Sequence, residues 1–323
     1  MENWAIALLV FLGIIFVVAI VLIIIYFATR KTPPTPPLQE IRDVERSGDP
    51  ELHDPSNPFP PSPFPPSPFP GPFPGPSPRV SLFQWNIHWQ CFRNSCCSTV
   101  AIHYLNTNLV SRNVDFANFI ELEDANYQPP SGYQKIIGHC GSGPITSGDV
   151  TTIVYNTRWT PVGSPQHFCI NDPTGGSRGG SRPTLIQKFS LGSFTVYVAG
   201  IHFTHDRNSY VAGLKKAFET AGITASDNII IMSDTNQHGS SAALITDILG
   251  VSPRNIQATP IHGTCCYNSH NPPGNFSLPY DRIIATFGSH MTSDFPTFSD
   301  VVPHPIAGCQ YSEQHSPVFA LVT

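Results

Sequence analysis

Asn228-Ile229-Ile230-Ile231-Met232-Ser233-Asp234-Thr235-Asn236 is an apolar, β-branched run that stops in four polar residues. The run predicts a strand over Asn228 to Met232, and the polar tail then falls at the rim of a sheet, where strands deliver catalytic side chains. The same pattern recurs outward from it. Val80 to Trp85 leads into Asn86, Phe116 to Glu121 ends in a carboxylate, and Thr195 to His202 ends in an imidazole. Gln314-His315-Ser316-Pro317 immediately precedes the run Val318 to Val322. Further strands are predicted at Val150 to Tyr155, Leu185 to Phe189 and Arg282 to Thr286. Apolar residues at helical spacing predict helices over Ser98 to Leu109, Ser209 to Thr220 and Ser241 to Leu249, the last two followed closely by Gly222 and Gly250. Many strands with few helices suggest one α/β domain, residues 79–323, of two packed sheets with helices outside.

Upstream the composition changes twice. Residues 5–28 are apolar and uncharged, and as a helix they reach about 36 Å, enough for a bilayer core of roughly 30 Å. The run is too long for a signal peptide, and Met1-Glu2-Asn3 carries an acid where a signal peptide is basic, so residues 1–31 are expected to be a single-pass membrane anchor. Residues 32–78 are a linker, acidic first and then Pro/Phe-rich. Over 57–78 proline fixes φ and removes donors, which favours a polyproline II rod up to about 68 Å long at ~3.1 Å per residue. Spacer is the simpler reading of this segment; a docking site for a Pro-binding module is the other.

Charge excludes a strongly basic nucleic-acid-binding module. Residues 79–323 hold 13 Lys and Arg against 15 Asp and Glu, so no global field favours counterion release. Eight cysteines, all in that domain, form an even set, which suits an exoplasmic or luminal compartment, as does the sequon Asn275-Phe276-Ser277. Arg30 and Lys31 after the apolar span pull the other way, towards a cytoplasmic domain. Eight reduced, buried thiols are the alternative, since adjacent pairs such as Cys96-Cys97 do not bridge to each other easily. A zinc site is disfavoured by the lack of a C-x-x-C pair.

Tyr280-Asp281-Arg282-Ile283-Ile284, with Asp115-Phe116-Ala117-Asn118-Phe119-Ile120-Glu121 and the order and spacing of the other segments, carries a resemblance. Residues 79–323 resemble the endonuclease/exonuclease/phosphatase superfamily, and within it the deoxyribonuclease I-like domains. The resemblance implies a four-layer αββα sandwich and divalent-metal-dependent cleavage of phosphoester bonds, most simply in a nucleic acid substrate.

It also implies roles. Glu121 and Asn86 would hold the metal through oxygen atoms, the shell Mg²⁺ prefers and Mn²⁺ or Ca²⁺ tolerate. Glu123, two residues along on the same strand face, is the competing carboxylate; the register anchored by Asp115 and Asp124 favours Glu121. His202 and His315 would bracket the scissile phosphate as base and acid, with Asp281 orienting His202 and Asp149 orienting His315. Asp234 and Asn236 would orient nucleophile and phosphate. Arg182, just before Pro183 and a strand, would clamp a non-bridging oxygen. His205, His238, His262 and His270 lie in polar loops with no metal-ligand spacing, and exposed or locally hydrogen-bonded roles suit them.

Two positions depart from the family pattern. Ser-Asp-His reads Glu313-Gln314-His315 here, leaving Gln314 as a neutral oxygen ligand near the metal, and Ser233 stands where glycine is usual. Three functions therefore compete: a membrane-anchored nuclease, a lipid or inositol phosphodiesterase or phosphatase, and a catalytically weakened binding domain.

Overall fold

The structure, a computed structural model, describes residues 77–93, 97–141, 145, 150–173, 180–266, 276–296 and 315–323. The apolar span 5–28, most of the linker 32–78, Asp149, Asn275, Gln314, Cys96 and Cys309 lie outside the described residues. Among the described residues no helix is long and apolar enough to cross a membrane.

Twelve described strands form two six-stranded sheets. In the first, the order is β11 (Met291–Asp294), β12 (Val318–Val322), β1 (Val80–Asn86), β2 (Phe116–Ile120), β4 (Val150–Asn156), β3 (Tyr133–His139). In the second it is β5 (Thr160–Asn171), β6 (Ser181–Leu191), β7 (Phe194–His202), β8 (Ile229–Asp234), β10 (Asp281–Ala285), β9 (Gln257–Ala258). Each sheet has one parallel pair at its centre, β1 with β2 and β7 with β8; the other pairings are antiparallel. The described helices are α1 (Gln90–Arg93), α2 (Ser98–Ser111), α3 (Arg207–Thr220) and α4 (Ser241–Leu249).

Side chains alternate between faces along a strand, so each sheet feeds two apolar layers. Phe83, Trp85 and Phe119 turn outward onto Ala101, Leu105 and Leu109 of α2. Leu82, Phe116 and Ile153 turn inward and meet Phe189, Val198, Met232 and Ile283 of the second sheet. Ala199, Ile201, Ile229 and Ile231 on that sheet's outer face pack beneath Tyr210, Leu214 and Phe218 of α3 and Leu244, Ile245 and Ile248 of α4. The layers thus run helix, sheet, sheet, helix. Local signals set the helix ends: Asp206 caps α3 by accepting from Ser209 N at 2.7 Å, Ser240 caps α4, and Gly250 leaves α4 in the left-handed conformation at φ 72°.

The inward face changes character towards one rim. Beyond Leu82 comes Gln84, beyond Phe116 comes Asn118, and before Ile153 comes Thr151, all fully buried. They satisfy one another: Thr151 Oγ1 donates to Asn118 Oδ1 at 2.7 Å, and Asn118 Nδ2 donates to Gln84 Oε1 at 2.8 Å and to Met232 O at 3.0 Å. Gln84 Nε2 reaches across to Asp281 Oδ1 of β10 at 3.2 Å. Asn118 presses so closely on β7 that a Cβ at Gly200 would stand 2.2 Å from its Oδ1. Glycine is required there by space.

Disulfides join Cys91 to Cys97, Cys140 to Cys169 and Cys265 to Cys266. Cys140–Cys169 ties the end of β3 to β5, one edge of each sheet. Adjacent cysteines, expected not to bridge easily, are joined at Cys265–Cys266, whereas Cys97 pairs with Cys91.

Gly200→Ala should cost about 2–3 kcal/mol by overpacking against an amide fixed on three sides. In an Asn118→Ala background the same change should cost at least about 1 kcal/mol less. Urea unfolding of the four proteins measures the coupling, and additive costs would show that Asn118 does not press on β7.

Candidate active site

Register assembles the site. Asn86 of β1 lies opposite Ile120 of β2, the residue before Glu121, so the parallel pair ends at one rim. His202 of β7 lies opposite Asp234 of β8, and Asp281, where β10 enters antiparallel, lies opposite Asp234 from the other side. Phe319 and Val318 pair with Phe83 and Gln84, which sets His315 just outside the same rim. All of these side chains are buried.

Asp234 is at the centre. Its Oδ2 accepts from Asn86 Nδ2 at 2.9 Å and lies 3.7 Å from His202 Nε2 and 3.8 Å from His315 Nε2. Its Oδ1 accepts from the backbone N of Asn236 at 3.0 Å. Asn236 Nδ2 donates to Phe203 O at 3.0 Å, which fixes that residue to the end of β7.

The partners of the two histidines correct the sequence reading. Asp281 serves His315, with Oδ2 2.6 Å from Nδ1. Among the described contacts of His202, its ring nitrogens face Arg182, Glu121 and Asp234 instead. His315 is also held through its carbonyl by the indole N–H of Trp85 at 3.0 Å. His202 Nδ1 faces Arg182 Nη1 at 3.4 Å and Glu121 Oε1 at 3.9 Å. Arg182 sits inside β6 rather than before a strand, with Nη1 3.9 Å from Glu121 Oε1 and Nε 3.6 Å from Asp172 Oδ2.

These surroundings separate the protonation states of the two rings. Burial pushes His202 well below the usual histidine value, and the Arg182 guanidinium adds to the fall, so this ring is neutral. Burial also acts on His315, but the carboxylates of Asp281 and Asp234 override it and hold the ring up at about 9. Asp281 itself is raised by burial against the opposing pull of His315. One neutral and one protonated imidazole, both with Nε2 turned to Asp234, form the pair that general acid–base chemistry needs.

Glu121 departs from the strand reading. β2 ends at Ile120, and Glu121 adopts φ 59°, a left-handed conformation rare for a non-glycine residue. The turn removes the expected shared face with Glu123. Glu121 Oε2 accepts from Trp89 N at 2.9 Å, and burial raises the carboxyl to about 7 despite that bond. A buried carboxylate beside the amide of Asn86 is an oxygen-only donor set, and it fits a hard divalent cation. Asn86 Oδ1 also accepts from His88 N at 3.0 Å, leaving its second lone pair for such an ion.

Sequence reasoning missed several residues. His88, with φ 68°, has a buried Nδ1 with no hydrogen-bond partner among the described residues, and burial followed by the charge of His315 lowers the ring to about 3. Its place two residues past Asn86 was the available signal. Asp172 is fully buried, accepts from the backbone N of His205 at 3.0 Å and anchors the Nδ1 of His205 at 2.8 Å, so His205 has the local role expected of it. Arg282 is structural: its guanidinium donates to Pro279 O, Gln237 O and Gly239 O, securing the loop that follows Asn236.

His315 gives the cation-free fold a pH signature. Its folded value, about 9, lies above the ordinary 6.5, so it contributes stability that is complete below pH 6.5 and is lost as pH rises through 9. Glu121, raised to about 7, completes its own loss near pH 7, and the lowered His202 and His88 add nothing above pH 6.5. Between pH 7 and 9 in chelator, unfolding free energy should therefore fall by up to about 3 kcal/mol. Asp281→Asn should flatten most of that slope; an unchanged slope would remove the ion pair from the account.

No family model and no curated protein matches the chain. Solved structures do. A truncated TDP2 from Caenorhabditis elegans aligns at 15% identity and TM-score 0.52 over 76% of this chain and 97% of its own. Danio rerio TDP2, solved with a single-strand DNA product, aligns at 16% identity and TM-score 0.51 over 76% of this chain and 100% of its own. An endonuclease/exonuclease/phosphatase from Bacteroides vulgatus aligns at 14% identity and TM-score 0.52 over 76% and 99%. The sandwich formed by the described residues shares the fold of these solved structures, the deoxyribonuclease I-like fold.

Proposed function

We propose that this domain is a divalent-metal-dependent phosphodiesterase that hydrolyses nucleic-acid phosphodiester bonds, and that residues 5–28 tether it to a membrane through the 32–78 linker. The observation that carries the reading is the convergence of two buried imidazoles, His202 and His315, on Asp234 Oδ2, at 3.7 and 3.8 Å, in the site that also holds Glu121 and Asn86. Structural likeness to a TDP2 solved with a single-strand DNA product supports nucleic acid as the substrate class.

Glu121 and Asn86 would hold the cation, with Gln314 completing its oxygen shell, and the bound ion would neutralise charge on the phosphate oxygens. Arg182, aligned by Asp172, would bind a non-bridging oxygen. Asp234 Oδ2 and the neutral His202 would orient water for attack on phosphorus and receive its proton. His315, charged and braced by Asp281, would pass the Nε2 proton to the leaving oxygen as its bond to phosphorus breaks. With so little net charge on the domain, substrate grip would fall to this local set rather than to a broad basic surface.

His202→Ala and His315→Ala should each lower turnover at least about 10²-fold with little change in substrate binding. Glu121→Gln should abolish Mg²⁺-dependent activity, whereas Glu123→Gln should do little. Rates on plasmid DNA, single-stranded DNA, RNA and sphingomyelin, with Mg²⁺ and with chelator, check both; near-wild-type turnover in the histidine variants would discard the acid–base scheme, and preference for sphingomyelin would discard the nucleic acid.

Gln314→Asp should tighten Mg²⁺ and raise activity at limiting metal, because a carboxylate about 4 Å from the cation adds attraction that an amide lacks. Calorimetric titration of both proteins measures it. Equal affinities would put residue 314 outside the field of the metal.

A further inference from the structure

Cys265 and Cys266 lie close to His315. A ring nitrogen of His315 and the two sulfurs lie within 4.8 Å of one another, with Cys265 and His315 buried and Cys266 partly so. The segment carrying them is also part of the frame of the dyad. Thr264 Oγ1 accepts from the backbone N of Asp281 at 2.9 Å, and Thr264 O accepts from Ser316 N at 2.7 Å. Cys265 is pinned in turn by paired backbone bonds to Leu278, at 2.9 and 2.7 Å. Two sulfurs and one imidazole within this radius are a borderline-soft donor set, unlike the oxygen set at Glu121 and Asn86. No sequence spacing announces it, because the histidine lies 49 positions further along the chain.

We propose that the reduced Cys265–Cys266 pair and His315 form an inhibitory Zn²⁺ site that takes the acid–base histidine out of the reaction. The proposal rests on the phosphodiesterase reading for its effect on activity and on geometry alone for the binding. A dithiol reductant supplies two electrons and two protons to the Cys265–Cys266 bond and leaves as its own disulfide. Zn²⁺ then binds both thiolates and one ring nitrogen, and the displaced protons go to solvent. Three protein ligands leave a fourth tetrahedral position for water. Whichever nitrogen is taken, function is lost: Nδ1 would surrender its bond to Asp281, and Nε2 would no longer face the phosphate. While the disulfide is intact neither sulfur is a thiolate and the site does not form.

The test uses the full chain in a Cys140→Ser background, because Cys140, His167 and Cys169 form a second Cys/His group that reduction would also open. Cd²⁺ is the optical probe, read by thiolate-to-metal absorption, and Zn²⁺ is the inhibitor, added under saturating Mg²⁺. Reduced protein should bind Cd²⁺ at least about 10-fold more tightly than its Cys266→Ser variant or than the oxidised protein, and Zn²⁺ should inhibit only the reduced form, reversibly with chelator. His315→Gln keeps both thiols and should weaken Cd²⁺ by a similar factor, which gives an answer even if Cys266→Ser does not fold. Equal Cd²⁺ affinity in reduced wild type and His315→Gln, or equal Zn²⁺ inhibition of oxidised and reduced protein, overturns the proposal. Binding that follows the expected order in a protein hydrolysing no phosphoester supports the cation site and overturns the phosphodiesterase reading; hydrolysis without such binding does the reverse.

Discussion

A chain of buried side-chain hydrogen bonds, Thr151 to Asn118 to Gln84 to Asp281 to His315, crosses from one sheet to the other and sets where everything at the rim stands. Its members are among the most buried polar groups of the domain, and each would cost several kcal/mol if left unpaired in this environment. The network therefore permits one relative placement of the two inward faces at this end. Elsewhere the inter-sheet layer is mostly apolar and would tolerate small shifts; here a small shift would strand an amide. Gly200 is the geometric trace of that demand, since only a residue without a side chain lets Asn118 reach Met232 O.

The same placement explains the electrostatics. His202 and His315 stand almost equally far from Asp234, so that carboxylate alone would not distinguish them. What differs is the partner behind each ring. The network delivers Asp281 to His315, whereas β6 delivers the cation Arg182 to His202. A carboxylate on one side and a guanidinium on the other split two chemically identical groups into an acid and a neutral ring.

Sequence legibility followed burial. Among the described residues, the eight strands read from the sequence are the eight interior strands of the two sheets, and the four missed, β3, β5, β9 and β11, are the edges. Interior strands are covered on both faces and read as apolar runs, while β5 is mostly exposed, contains Pro161 and Pro165 and bulges between Val162 and Gln166. Candidate site residues were legible for a related reason: they are polar residues at the ends of apolar runs, and the two parallel pairs bring those ends to one rim. Partnership was not legible. Asp281 was matched to the wrong histidine because neither the position of β10 beside β8 nor the arrival of His315 from the opposite sheet is encoded in spacing along the chain. The positive φ of Glu121 was hidden too, since nothing in Phe-Ile-Glu-Leu-Glu marks a left-handed turn.

That turn belongs to a set. His88, Glu121 and Asn236 are non-glycine residues at φ 68°, 59° and 47°, and each follows the last residues of a strand that ends in the site, β1, β2 or β8. A strand continued in extended form would send successive side chains to opposite faces, and only every second one could enter the cleft. Breaking the alternation lets Glu121 return its carboxylate to Trp89 N and Asn236 present its backbone N–H to Asp234. Each such residue costs on the order of 1–2 kcal/mol. Three apolar layers, in which a single fully buried large side chain contributes roughly 1.5–3 kcal/mol, hold these conformations in place. The convergence of functional groups on Asp234 is thus a strained local arrangement sustained by the body of the sandwich.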